Sequence, residues 1–127
     1  MPLPRPNYWT IGCLVGASGV ALGAFGAHGL RNYVTDPKAL KNWDTAAQYQ
    51  LLHALAILVA SPANPAAAGL FTAGVTMFSG SLYAMVLAGP ERVQDGLGKV
   101  LGPVTPIGGA CLIAGWVLMA RKGRIGL

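Results

Sequence analysis

Charged side chains are confined to four short stretches, and the chain between them is apolar. No Asp, Glu, Lys or Arg occurs from Pro6 to Leu30, from Thr45 to Pro90 or from Val100 to Ala120. A helix rises about 1.5 Å per residue and the hydrocarbon layer of a bilayer is about 30 Å thick, so the first and last runs each suit one crossing. The middle run would be about 69 Å long as one helix, enough for two. Its break is expected at Ser61-Pro62-Ala63-Asn64-Pro65, because two prolines this close remove backbone donors and obstruct a continuous helix. The pattern predicts an all-α integral membrane four-helix bundle, a single domain over residues 1–127 with both termini on one side.

The first span is expected over Tyr8–Leu30, opened by the interfacial pair Tyr8 and Trp9 and closed by Gly29. The second has its membrane portion over Thr45–Ala60, with an interfacial helical extension from Pro37. Asp36 is placed to cap that extension, Pro37 fits a first turn that needs no amide donor, and Trp43 is expected at headgroup depth. Asn64 and Pro65 repeat the start signal for a third span over Pro65–Ala88, which Gly89-Pro90 stops. A fourth helix starting at Pro106 would be only about 22 Å long, so the span is expected over Pro103–Ala120 with Pro106 still in its first turn.

Small residues recur at helical spacing. Gly12, Gly16, Gly19, Gly23 and Gly26 line the first span, while Gly69 with Ala73, Gly80 with Ala84 and Cys111 with Gly115 stand four apart in the later ones. Lipid tails are as apolar as Leu, so a bundle in lipid is held by close backbone packing, and these are expected as glycine-rich helix seams.

Composition agrees with this architecture. Charged residues are 10% of the chain and hydrophobic ones 54%, with a mean hydropathy of +0.52; ordinary soluble domains carry about 25% charged residues. Such a chain cannot coat a soluble globule. The first apolar run is longer than a signal-peptide core and lacks an obvious cleavage site, so it is expected to be retained. Cys13 and Cys111 lie inside apolar runs, which points to small packing residues and not to a disulfide framework. The net charge of +5 fits attraction to anionic lipid; no basic patch interleaved with aromatics supports nucleic-acid binding. Arg5, Arg121, Lys122 and Arg124 on the terminal side balance Arg31, Lys38, Lys41, Arg92 and Lys99 on the other, so the positive-inside rule gives no orientation.

Four ordered blocks resemble the transmembrane protein 256 family. They are Gly23-Ala24-Phe25-Gly26-Ala27-His28-Gly29-Leu30; Trp43 with Thr45 through Ala56 (TAAQYQLLHALA); Phe78-Ser79-Gly80-Ser81-Leu82-Tyr83; and Gly102-Pro103-Val104-Thr105-Pro106-Ile107-Gly108-Gly109. The likeness covers nearly the whole chain and departs mainly over Glu91 to Lys99. It implies a small four-helix membrane protein of mitochondria, hence an expected place in the mitochondrial inner membrane, or alternatively of bacterial plasma membranes. It implies no reaction.

Polar residues fall unevenly along the expected spans. His28, Thr45, Gln48, Tyr49, Gln50, His53, Ser79, Ser81, Tyr83 and Thr105 are all assigned to the leaflet nearest the two longer loops. The other leaflet holds Thr10, Ser18, Thr72 and Thr76, hydroxyls that can bond back to their own helix. Isolated polar groups in hydrocarbon are costly, so the concentration predicts a polar cluster facing the bundle interior. Gln50, His53 and Ile57 share one helical stripe, flanked by Gln48 and Tyr49.

Two readings of that cluster stay open: hydrogen bonds that tie helices together, or a site for a lipid, quinone or other amphipathic ligand. Haem between His28 and His53 is poorly supported, one His per helix at unequal depth being a weak axial pair. No cofactor is expected, and no metal, since Cys, Asp and Glu are missing at depth. The acids Asp36, Asp44, Glu91 and Asp95 lie in or beside loops, and no Ser or Cys stands beside a His at motif spacing. The expected role is a non-catalytic scaffold, assembly or accessory subunit among membrane lipids and other membrane-protein subunits.

Overall fold

The structure, a computed structural model, describes residues 6–122; Arg5 and Arg124 of the charge balance lie outside the described residues. Four long helices, α1 (Tyr8–Ala27), α2 (Pro37–Ala63), α3 (Pro65–Ala88) and α4 (Gly98–Lys122), make an all-α bundle with no strand among the described residues. Asn7 caps α1 by accepting from the Thr10 amide at 3.1 Å, and Asp36 caps α2 by accepting from the Lys38 amide at 3.1 Å. In α1 the helix ends at Ala27, before a 3-10 turn over Leu30–Asn32.

The break between α2 and α3 is narrower than the proline spacing implies. Pro62 lies within the last turn of α2, where it forfeits a single bond to the Leu58 carbonyl, and the chain reverses on Asn64 alone. The α4 helix starts at Gly98, ahead of Pro103, so that both Pro103 and Pro106 lie inside it. Both prolines lie beyond the first turn, so each forfeits one intrahelical bond, to the Lys99 and Gly102 carbonyls respectively. Both carbonyls belong to the loop end of the helix, within reach of water and headgroups. Gly89 and Gly96, at φ 90° and 137°, supply the two turns between α3 and α4 that a residue with a Cβ rarely makes.

Each helix packs mainly on the next in sequence, which puts α2 and α3 inside and α1 and α4 outside. The glycines of α1 form a ladder against the antiparallel α2. A Cβ on Gly12, Gly19 or Gly26 would collide with Leu58, Leu51 or Trp43 respectively, while Gly16 and Gly23 face Ala54 and Ala47 at 3.6 and 3.9 Å. The tightest approach of α3 and α4 is at Gly74 and Gly108, where a Cβ on either would stand 2.9 or 2.8 Å from the other's carbonyl oxygen. Gly80 differs from the other seam glycines: nothing lies within 4 Å of its would-be Cβ, so it faces outward.

Two further positions correct the sequence reading. Trp43, read as an interfacial side chain, is 1% exposed and turned inward among the helices beside Leu30 and Val86; the missing Cβ of Gly26 opens the space its indole fills. Cys13 is exposed and so does not pack inside the bundle; Cys111 is half-buried, and both are free thiols.

This is an integral membrane four-helix bundle. Among the described residues three segments are long and apolar enough to cross a membrane: Tyr8–Asn32, Pro65–Ala88 and Pro90–Lys122. The α2 helix is the polar one; its neighbours cover the face with Gln50 and His53 and leave the face with Gln48 exposed.

Candidate functional site

The inward stripe of α2 carries Trp43, Gln50, His53 and Ile57, all buried, whereas Gln48 and Tyr49 are exposed. Each polar member of the stripe reaches a neighbouring helix. The Trp43 indole N–H donates to the Leu22 carbonyl at 2.8 Å, binding α2 to α1 at its loop end. At mid-bundle the Gln50 amide donates to the Val15 carbonyl at 3.0 Å and to Ser18 Oγ at 2.9 Å. Its Oε1 accepts from the Tyr83 hydroxyl at 2.7 Å, so one side chain joins α1, α2 and α3.

His53 joins α2 to α4. The Trp116 indole N–H lies 3.1 Å from His53 Nε2. An indole nitrogen only donates, so Nε2 must be the bare nitrogen and the proton must sit on Nδ1. That nitrogen is 2.8 Å from the Tyr49 carbonyl, one turn back, and donates to it. The ring is thus neutral with both nitrogens occupied, walled by Phe71, Tyr49 and Trp116 at centroid distances of 5.7, 5.9 and 5.8 Å.

The remaining hydroxyls serve the same end. Ser79 donates to the Ala46 carbonyl at 2.7 Å, tying α3 to α2, and Ser81 is hydrogen-bonded to Thr105 across α3 and α4. Among the described residues no buried side-chain nitrogen or oxygen lacks a partner. The arrangement can hold helices in register; it offers neither a spare acid or base nor a free metal-ligating nitrogen at the cluster. No group of three or more His, Cys, Asp or Glu able to hold a metal occurs among the described residues.

The structure brings Gln50, His53, Ser79, Ser81, Tyr83 and Thr105 into interhelical bonds. His28 stands apart: it is exposed at the end of α1, its backbone N–H closing the helix on Ala24 and Phe25. The depth assignment also shifts, because Gln50 meets Val15 and Ser18 in the middle of α1 and His53 lies nearer still to the terminal side. The polar network therefore runs through the middle of the bundle and does not stay in one half. Ser18 bonds back to the Leu14 carbonyl at 2.8 Å and also accepts from Gln50.

Three members were not legible as site residues. Trp43 read as an interfacial aromatic and Trp116 carried no signal of its own, yet their N–H groups are donors that need a partner when removed from water. Asn64, read only as a cap, is buried: its Oδ1 accepts from the Ala67 amide at 3.1 Å, while its Nδ2 donates to the Leu118 and Lys122 carbonyls at 3.2 and 3.3 Å. It caps the start of α3 and the end of α4 together.

A family model described as "Protein of unknown function (DUF423)" matches residues 22–109, a stretch that includes the whole α2 stripe. A UPF0382 membrane protein of Schizosaccharomyces pombe is 38% identical over 87% of this chain and 96% of its own. One of Staphylococcus aureus is 40% identical over 86% of this chain and 88% of its own. Another, of Bacillus subtilis, is 34% identical over 86% and 89%. No solved structure matches.

Proposed function

Since the chain belongs to the DUF423 family of membrane proteins, we propose that it is a non-catalytic accessory or assembly subunit of a larger membrane complex. One observation carries this reading: the buried polar network is closed on itself, every buried side-chain nitrogen and oxygen among the described residues being bonded within the chain. A ligand entering the cluster would have to break bonds that hold the helices together, which favours tying over binding at Gln50 and His53.

The glycines of α1 are consumed by α2, so they leave no seam for a partner. A small-residue surface left open is the loop-side half of α3, where Gly80 is open and Ala84 and Leu87 are exposed. A partner helix can approach that backbone closely. We assign the protein to the mitochondrial inner membrane, with the bacterial plasma membrane as the alternative; relatives in a yeast and in bacteria support a membrane type common to both. The likeness to the transmembrane protein 256 family is, on this reading, a likeness within the same family.

Native electrophoresis of gently solubilised membranes tests the proposal. The protein is expected to migrate in a larger species, and Gly80→Leu to release it as a folded monomer. Migration of the wild type as a lone monomer in every mild detergent would overturn it.

A further inference from the structure

Away from the polar network, the termini end of the bundle carries a slot with two connected parts. The outer part, about 490 Å³, is lined by Asn7, Tyr8, Ser61 and Pro65 at the ends of their helices. The inner part, about 390 Å³, runs down between α1 and α3 past Ile11, Ala73, Thr76 and Met77. Pro6 and Tyr8 belong to both, so the two parts are continuous. The slot exists because α1 leans on α2 and meets α3 chiefly where Tyr8 Oη rests over Gly69, a position whose Cβ would stand 2.9 Å from it.

The two parts differ in chemistry. The mouth offers the Asn7 amide and the Ser61 hydroxyl, while the shaft is apolar apart from Thr72 and Thr76. Those two hydroxyls bond back to Ala68 and Thr72 carbonyls at 2.8 and 2.7 Å, so neither is free for a ligand, and the Tyr8 hydroxyl lies where the two parts meet. Charge is also one-sided. All four acids of the chain, Asp36, Asp44, Glu91 and Asp95, lie at the opposite end, whereas Arg121 and Lys122 end α4 on the side of the mouth. The Lys122 carbonyl is 3.3 Å from Asn64 Nδ2, beside the Ser61–Pro65 turn that forms the rim.

We propose that this slot binds one anionic phospholipid, with an acyl chain in the shaft and the phosphate at the mouth. An apolar groove open sideways to the bilayer suits a flexible chain, and the two cations that end α4 beside the rim, with all four acids at the far end of the bundle, favour a negative headgroup over a zwitterionic one. The small-residue pair Gly69 and Ala73 lines the shaft, but Tyr8 Oη already rests over Gly69 and keeps a partner helix from that backbone, so a lipid chain fits where a helix does not.

Native mass spectrometry of the full chain, released from vesicles of equal dioleoyl-phosphatidylglycerol and dioleoyl-phosphatidylcholine, tests this. The wild type is expected to retain one phosphatidylglycerol, at least tenfold over phosphatidylcholine. Ala73→Phe/Thr76→Phe fills the shaft from exposed positions and is expected to remove the retained lipid with unchanged helicity and melting temperature. Arg121→Gln/Lys122→Gln is expected to keep a bound lipid but erase the headgroup preference. Retention of phosphatidylglycerol by the filled variant, equal retention of both lipids by the wild type, or cross-linking of a second chain through a cysteine at position 73 would each overturn the proposal. None of these outcomes depends on Gly80 or on a partner complex.

Discussion

The Trp116 indole N–H donates to His53 Nε2 at 3.1 Å, and this contact fixes the proton of a histidine that is 3% exposed. An intramembrane histidine invites assignment as a ligand or proton carrier. Here one nitrogen is held by a neighbouring helix and the other by its own, so the ring works as a strut between α2 and α4.

The strut predicts a defined tautomer. In nitrogen-15 spectra of the protein in micelles or bilayers, His53 should show a protonated Nδ1 and a bare Nε2. Trp116→Phe should keep the fold and weaken it by about 0.6 kcal/mol, the average for interhelical hydrogen bonds in membranes, and by no more than about 1.7 kcal/mol. A signal from Nε2–H would contradict the assignment.

Gln50 predicts non-additivity. Tyr83→Phe leaves Gln50 Oε1 buried without its donor and should cost about 1 to 3 kcal/mol in a reversible unfolding assay in detergent. Gln50→Leu/Tyr83→Phe should cost less than the sum of the two single changes, because the apolar pair leaves no orphan at that position. Strict additivity would mean that the two side chains do not share a bond.

The glycine ladder predicts a contrast between two alanine substitutions. Gly26→Ala places a methyl against the Trp43 ring and should destabilise the protein by about 1 to 3 kcal/mol, as overpacking does. Gly80→Ala meets nothing within 4 Å and should leave thermal stability unchanged or slightly raised, helix interiors favouring Ala over Gly. Equal melting temperatures for the two variants would remove the ladder from the account.

Asn64 separates two functions of one side chain. Asn64→Ala loses the α3 cap and the ties to α4 and should cost more than the roughly 0.5 to 2 kcal/mol of a cap alone. Asn64→Asp keeps the cap oxygen yet replaces the donor with a carboxylate facing the carbonyl end of α4, where negative charge is unfavourable. Its melting temperature should be no higher than that of Asn64→Ala; a nearly wild-type value would show that the α4 contact contributes little.

What the sequence made legible was local chemistry. The Asp36-Pro37 and Asn64-Pro65 starts act through neighbouring backbone groups, and the glycine spacing of α1 follows from helical period alone. Partners distant in sequence were hidden. Nothing local says that Trp116 meets His53 or that Trp43 meets Leu22, because such pairs depend on how each helix is rotated about its axis. The early start of α4 was hidden for a related reason. A proline reads as a boundary, but its real cost depends on whether the freed carbonyl can find water or another donor.

Centrally, α2 crosses the bilayer with its Gln50 and His53 face shielded by its neighbours. Single cysteines in a Cys13→Ala/Cys111→Ala chain, labelled with an impermeant maleimide in sealed proteoliposomes of known orientation, test it directly. Cysteines at Asn7, Ser61 and Lys122 should react from one side, and those at Asp36 and Gln94 from the other. Labelling of Asp36 and Ser61 positions from the same side would show that α2 does not cross, and the account would fail.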